Sequence, residues 1–183
     1  DIDADVVSET LSYDAVSRPA WLNVSSSGLV TGTPGNEDVG AHDVTVRVTD
    51  SAGASGTKTF TLTVNNTNDA PVFDFTPPNG LEQDAAFTLT LSAHDPDSVH
   101  ETVNLTYSAI VLPSWLTLTS DGVLQGTPSN EHVGEHTVSV RVTDQHGAST
   151  AKNFTLIVNN VNDPPTLEAI PDAVMDEDST FAY

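Results

Sequence analysis

The chain has no cysteine, one methionine and only five lysines and arginines among its 183 residues. Without cysteine there is no disulfide framework and no thiolate metal site. The five basic residues face 26 acidic ones, a net charge of −21. That balance speaks against nucleic acid as a partner, which asks for a basic surface, and against anionic membrane surfaces. It favours divalent cations and a highly soluble, self-repelling surface. Aromatics are few, with two tryptophans, three tyrosines and six phenylalanines. No apolar run approaches the roughly 18 residues that cross a bilayer, so direct membrane insertion is not expected, and no signal peptide is visible. No window shows helical periodicity. No nucleophile–base pair or phosphate loop is present either, so no enzymatic activity is expected. The chain begins without methionine and stops inside a pattern, as a piece of a longer protein would.

What is present is a repeat. Asn65-Asn66-Thr67-Asn68-Asp69-Ala70-Pro71 returns as Asn159-Asn160-Val161-Asn162-Asp163-Pro164-Pro165, offset by 94 positions. At the same offset Trp21-Leu22 matches Trp115-Leu116, and Gly32-Thr33-Pro34 matches Gly126-Thr127-Pro128. Asn36-Glu37 matches Asn130-Glu131, and Asp50 matches Asp144. Asp3-Ala4-Asp5 matches Asp95-Pro96-Asp97 after an insertion of two residues. Three segments follow: 1–66, a module without its first two strands; 67–160, a complete module; and 161–183, a linker with the opening strands of another.

Within each unit the period is two. Val44, Val46 and Val48 alternate with Thr45, Arg47 and Thr49, and Phe60, Leu62 and Val64 alternate with threonines. Such runs read as strands with one buried face. Turn signals at short spacing, such as Ser27-Gly28 and Asp121-Gly122, punctuate them. In the second unit strands are expected near 72–75, 87–93, 104–110, 116–119, 122–126, 136–143 and 152–159. Several short strands in about 90 residues make the fold class all-β, one sandwich per unit. Trp21 and Trp115 read most simply as core aromatics. Arg47 and Arg141 alternate with valines and so face outward.

Both Asn-rich stretches offer side-chain amides, one carboxylate and main-chain carbonyls. These are hard oxygen ligands of the kind Ca²⁺ takes; the plainer reading is a polar linker with asparagines as turn formers. Three further clusters recur near strand ends: the Asp95/Asp97 pair, the Asn130/Glu131 pair, and Asp144. His132 and His136 stand four apart, but Gly134 lies between them and the segment enters a strand, which disfavours a helical zinc grip.

These residues carry a resemblance. The linkers look like shortened cadherin linkers, and the chain is most similar to bacterial cadherin-like and dystroglycan-type cadherin-like repeats of large surface adhesins. The second unit has the pattern as Asp95-Pro96-Asp97, Leu112-Pro113-Ser114-Trp115-Leu116, Gly122 through Pro128, and Val142-Thr143-Asp144 with Gly147. The first departs with Ala4 between its aspartates and Arg18 before Pro19. Both linkers lack the second asparagine that cadherins carry after the aspartate.

The resemblance implies tandem Ig-like, cadherin-like Greek-key sandwiches joined by Ca²⁺-binding linkers, with the ion held between modules. At the first junction it points to Asn36, Glu37, Asn66, Asn68, Asp69, Asp95, Asp97 and Asp144. At the second it points to Glu82, Asn130, Glu131, Asn160, Asn162 and Asp163. Asp3, Asp5 and Asp50 of one copy would meet Glu131, Asn162 and Asp163 of another at a head-to-tail joint, rebuilding a calcium site between molecules. The implied function is a Ca²⁺-rigidified extension or adhesion module of an extracellular or cell-surface protein, bacterial by the family it resembles. The alternative is a glycan-binding module of an adhesin or of a secreted polysaccharide-degrading enzyme. The partners expected are neighbouring modules, a glycan or another adhesin, and a second copy of the chain. In that last case the tail would complete the first module of the next copy, head to tail.

Overall fold

A computed structural model describes residues 10–180 and 182. Asp3 and Asp5 lie outside the described residues. In the first unit β1 (Ser12–Ser17), β4 (Gly40–Thr49) and β5 (Ser55–Val64) form an antiparallel sheet in the order β1-β4-β5. Between them β2 (Leu22–Val24) and β3 (Val30–Gly32) form a separate hairpin. The second unit opens with the short strands β6 (Val72–Phe73), β7 (Leu81–Glu82), β8 (Phe87–Thr90) and β9 (Ala93–His94). It continues with β10 (Thr106–Val111), β11 (Leu116–Leu118), β12 (Val123–Gly126), β13 (Gly134–Thr143) and β14 (Ser149–Asn159). One face is the sheet β10-β13-β14-β7, the other β11-β12-β8, and β6 pairs with β9.

The period-two reading holds where it was clearest. Val138, Val140 and Val142 of β13 have no exposed surface, whereas Arg141 between them is exposed. Arg47 likewise reaches outward, and its Nε and Nη2 donate to the two oxygens of Asp14 at 3.0 and 2.8 Å. At such exposed sites the pair adds little stability. Both units bulge at the equivalent place, between Ala15 and Ser17 and between Ala109 and Val111. A repeated sequence repeats its irregularities too.

The stretch expected as one strand over 87–93 is two. β8 pairs with β12 and β9 with β6, so the chain changes sheets at Leu91. Leu91 itself is buried, its N–H donating to the Gly122 carbonyl at 2.8 Å. A strand that switches sheets makes a corner of the sandwich and keeps its alternation across the break. β7, which sequence reading passed over, has two residues and lies parallel to β14, Leu81 against Val158. So short a run leaves no alternation to detect.

The glycine of each Gly-Thr-Pro motif has a packing cause. A Cβ on Gly126 would lie 2.1 Å from the Trp115 carbonyl oxygen, and one on Gly32 would lie 2.6 Å from that of Trp21. The core of the second unit gathers Phe75, Leu91, Leu116, Leu124, Val138, Val140 and Leu156. Leu124 is fully buried, whereas its counterpart Val30 is 39% exposed. Leu124→Ala should therefore cost about 2–5 kcal/mol, and Val30→Ala within about 0.5 kcal/mol, as surface changes do. Denaturant unfolding, followed through Trp115 for the first and Trp21 for the second with the other tryptophan replaced by Phe, measures both.

Candidate metal centre at the junction

The Asp95-Pro96-Asp97 sequence shapes the centre of the site. Asp95 caps a short 3-10 turn over Pro96–Val99, where proline suits the first helical position. Its Oδ1 accepts the Asp97 N–H at 2.9 Å, which brings the second carboxylate into the same pocket. Asp95 is 3% exposed and Asp97 not at all. Their outer oxygens, Asp95 Oδ2 and Asp97 Oδ1, are buried without a hydrogen-bond partner.

Asp144 approaches from the end of β13. Its Oδ1 accepts the N–H groups of His146 and Ala148 at 2.8 and 2.9 Å, closing the turn before β14. Asp50 does the same in the first unit, accepting from Ala52 and Ala54 at 2.9 Å each. The linker then enters from the first unit. Asn68 Nδ2 donates to Asp144 Oδ2 at 2.8 Å, and the Asp69 N–H donates to Asp97 Oδ2 at 2.8 Å. Asn36 Nδ2 donates to Asp69 Oδ2 at 2.7 Å, and His100 Nε2 to the Asn36 carbonyl. Residues from four separate stretches of both units thus meet in one place.

The charge at this place has one sign. No lysine or arginine among the described residues bridges to Asp69, Asp95, Asp97 or Asp144; Arg47 is taken by Asp14 and Lys152 by the Phe75 carbonyl. The positive ends of side-chain amides face the carboxylates instead. No three His, Cys, Asp or Glu side chains among the described residues converge as a ready-made ion cage. A cation here would therefore also draw on amide and main-chain oxygens. The Asn36 and Asn68 amides can supply them by turning over, since either end of an amide fits the same space. The two orphaned carboxylate oxygens fit a hard cation, because a buried anionic oxygen without a donor or cation is costly.

Of the remaining residues expected at this junction, Glu37 and Asn66 are exposed. The Glu37 carboxylate lies back over Gly35, 2.9 Å from where a Cβ would stand. The second junction has a thinner set. Asp163 Oδ2 accepts from Asn130 Nδ2 at 2.6 Å and from Gln83 Nε2 at 3.2 Å. Glu82 Oε1 accepts from Asn159 Nδ2 at 3.2 Å, and Asn162 Nδ2 donates to the Asp163 carbonyl at 3.3 Å. Glu131 and Asn160 are exposed.

Sequence reading missed Gln83, which is 3% exposed with its Oε1 buried and unpartnered. The signal was available one repeat on, where Glu82-Gln83-Asp84 becomes Asp176-Glu177-Asp178, with an acid in the same slot. The tryptophans are half-buried. Trp115 packs edge-on against Phe87 and His136, and Trp21 against His42. His136 Nε2 is engaged with the His132 carbonyl at 2.6 Å, so the histidine pair is spent on structure.

The two-sheet sandwich of the second unit and the matching sheet and hairpin of the first, joined by an Asn-rich linker, define an all-β, Ig-like class. The chain belongs to the Putative Ig domain family, whose model matches residues 1–65 and again 70–159. No curated protein matches it. Among solved structures it is similar to repeats EC22–24 of mouse cadherin-23, at 19% identity and a TM-score of 0.57 over 82% of this chain and 54% of that one. It is also similar to cadherin domains 1–5 of protocadherin gamma B2, at 19% identity and a TM-score of 0.56, over 84% and 34% of the two chains. An endo-fucoidan hydrolase of glycoside hydrolase family 107 aligns at 24% identity over 83% and 24% of the two chains, with a TM-score of only 0.43. The chain spans about half or less of each of these structures. Among the described residues no helix is long and apolar enough to cross a membrane.

Burial pushes the Asp144 carboxyl up, but the Asn68 amide and the N–H groups of residues 146, 148 and 147 outweigh it and hold the group below the ordinary carboxylate range. A carboxyl lowered on folding adds stability that is full above its unfolded value, about 3.9, and fades as pH falls through the lower folded one. Asn68→Ala should shrink that acid-side loss and Asp144→Asn should abolish it. Thermal melting of the three proteins between about pH 2 and 6 measures the difference.

Proposed function

We propose that the first junction binds calcium and that the protein is an extension or adhesion module of a large extracellular or cell-surface protein. The single observation that carries this is the pair of buried, partnerless oxygens on Asp95 and Asp97. Asp69, Asp95, Asp97 and Asp144 would hold the ion, with the Asn36 and Asn68 amides and main-chain carbonyls completing the oxygen set. The ion would supply the positive charge that this neighbourhood of carboxylates lacks.

The consequence follows from where the ligands come from. Asn36 belongs to the first unit, Asn68 and Asp69 to the linker, and the other three aspartates to the second unit. Without a cation the carboxylates repel one another and only a few hydrogen bonds couple the units. With one, both units share ligands and a hinge becomes a rod. Cadherin-like topology and the acidic composition support placement outside the cell.

Two measurements test this. Calcium should raise the melting temperature of the full chain by mass action, and Asp97→Asn should remove most of that rise. A titration calorimeter showing no uptake even near 1 mM, the weak end for extracellular modules, would sink the proposal. Small-angle scattering should show one elongated body with calcium and a broader distribution of shapes with chelator. Identical profiles would leave the linker as a spacer.

A further inference from the structure

Asn79 is the only asparagine in the sequence that is followed by glycine. Asn79 and Gly80 are both exposed, in the connection between β6 and β7 that comes after Pro77 and Pro78. The glycine has a packing cause. A Cβ there would stand 3.0 Å from Asn159 Nδ2 and 3.7 Å from the Ile157 carbonyl oxygen, so β14 leaves little room for a side chain. The same glycine leaves its own nitrogen unhindered, because no side chain crowds the neighbouring Cα.

The dipeptide also lacks the bonds that would hold it still. Among the described residues neither the Gly80 N–H nor the Asn79 side-chain amide has a hydrogen-bond partner. Elsewhere the amides are engaged: Asn36, Asn68, Asn130 and Asn159 each donate through Nδ2 to a carboxylate. Every other asparagine precedes a residue with a side chain, such as Val24 after Asn23 and Val161 after Asn160. A free amide carbon next to an unhindered backbone nitrogen is already placed for an intramolecular reaction, which needs no second reactant to be brought up.

We propose that Asn79 is a site of spontaneous modification, converted to aspartate and isoaspartate without an enzyme. The Gly80 nitrogen attacks Asn79 Cγ and an N–C bond forms. The Cγ–Nδ2 bond breaks, and ammonia leaves with the Gly80 proton. Water then opens the succinimide. Attack at Cγ gives aspartate; attack at the main-chain carbonyl carbon gives isoaspartate, whose backbone runs through Cβ. Water is consumed and ammonia released, with no oxidant or reductant. Aspartate only adds a charge at an exposed position. Isoaspartate also lengthens the main chain by a bond of about 1.5 Å, just before β7. That strand is held by Leu81 paired with Val158, Glu82 paired with Asn159, and the Gln83 N–H on the Asn159 carbonyl at 3.0 Å. So short a strand has no further pairs to keep its register. Isoaspartate at 79 therefore loosens the strand that closes the second unit, beside Gln83 and its contact to Asp163. The reaction goes beyond the calcium reading and does not depend on a cation.

The full chain, kept for weeks in mildly alkaline buffer without metal, is sampled by peptide mass mapping. Labelling with an isoaspartyl methyltransferase tells the two products apart. Loss of the amide is expected at Asn79, while the exposed Asn23, Asn66 and Asn160 keep theirs. The isoaspartyl form is then separated by chromatography and its melting followed through Trp115 in a Trp21→Phe background. It should melt lower by about 4 °C or more, the shift that a modest loss of stability brings in a domain of this size. Asn79→Asp, which adds the charge without the extra bond, should melt as the parent does. An Asn79 that keeps its amide, or loses it no sooner than Asn160, overturns the proposal. So does an isoaspartyl form that melts like Asn79→Asp.

Discussion

A carboxylate removed from water has to be met by donors or by a cation, and at Asp97 this requirement organises the middle of the molecule. The side chain has no exposed surface; one oxygen takes the linker N–H of Asp69, and the other takes nothing. Asp95 shares its position, and Asp144 stands close enough to bind the neighbouring linker residue. The Asp-Pro-Asp turn, the hairpin turn after β13 and the linker are each locally ordinary. Held together, they make a concentration of negative charge that the hydrogen bonds between units offset only in part.

The same economy is visible in how the site is bonded. Backbone N–H groups of residues 97, 146 and 148, placed by the turns, and of residue 69 in the linker account for the inner oxygens. The amides of Asn36 and Asn68 account for outward oxygens of Asp69 and Asp144 and can turn over. Fixed donors hold the carboxylates in place while the adaptable groups face the position where charge is wanting. A second junction built on Asp163, Asn130 and Gln83 shows the same use of amides, with one unpartnered oxygen on Gln83 in place of two on aspartates.

Repetition in sequence does not bring repetition in packing. Val44 and Val138 are both fully buried, because each sits in the middle of a hairpin that its own unit supplies. Val30 and Leu124 part company, because their cover comes from strands that lie earlier in the chain than the hairpin itself. The second sandwich is closed by β7 and β8, which lie between the linker and its hairpins in the chain. The exposed tail forms the same turn at Asp178 as the second unit has at Asp84, while the counterparts of β6 and β7 form no strand there.

The sequence by itself determined the features that depend on neighbours along the chain. Alternation in Val44–Val48 and Val138–Val142 marked the central strands, and the offset of 94 marked the two units. The clustering of Asp95, Asp97, Asp144 and Asp69 at element ends marked the candidate site. Asp-Pro-Asp predicts a turn with a carboxylate at each end because proline and the cap leave little else. Tertiary structure alone decided the rest. It split 87–93 between two sheets, set the two-residue β7 parallel to β14, and brought Gln83 rather than Glu82 against Asp163. Those outcomes depend on contacts between residues some 20 to 80 positions apart. A local pattern records which face of a strand is apolar; it holds no record of which distant strand will cover it.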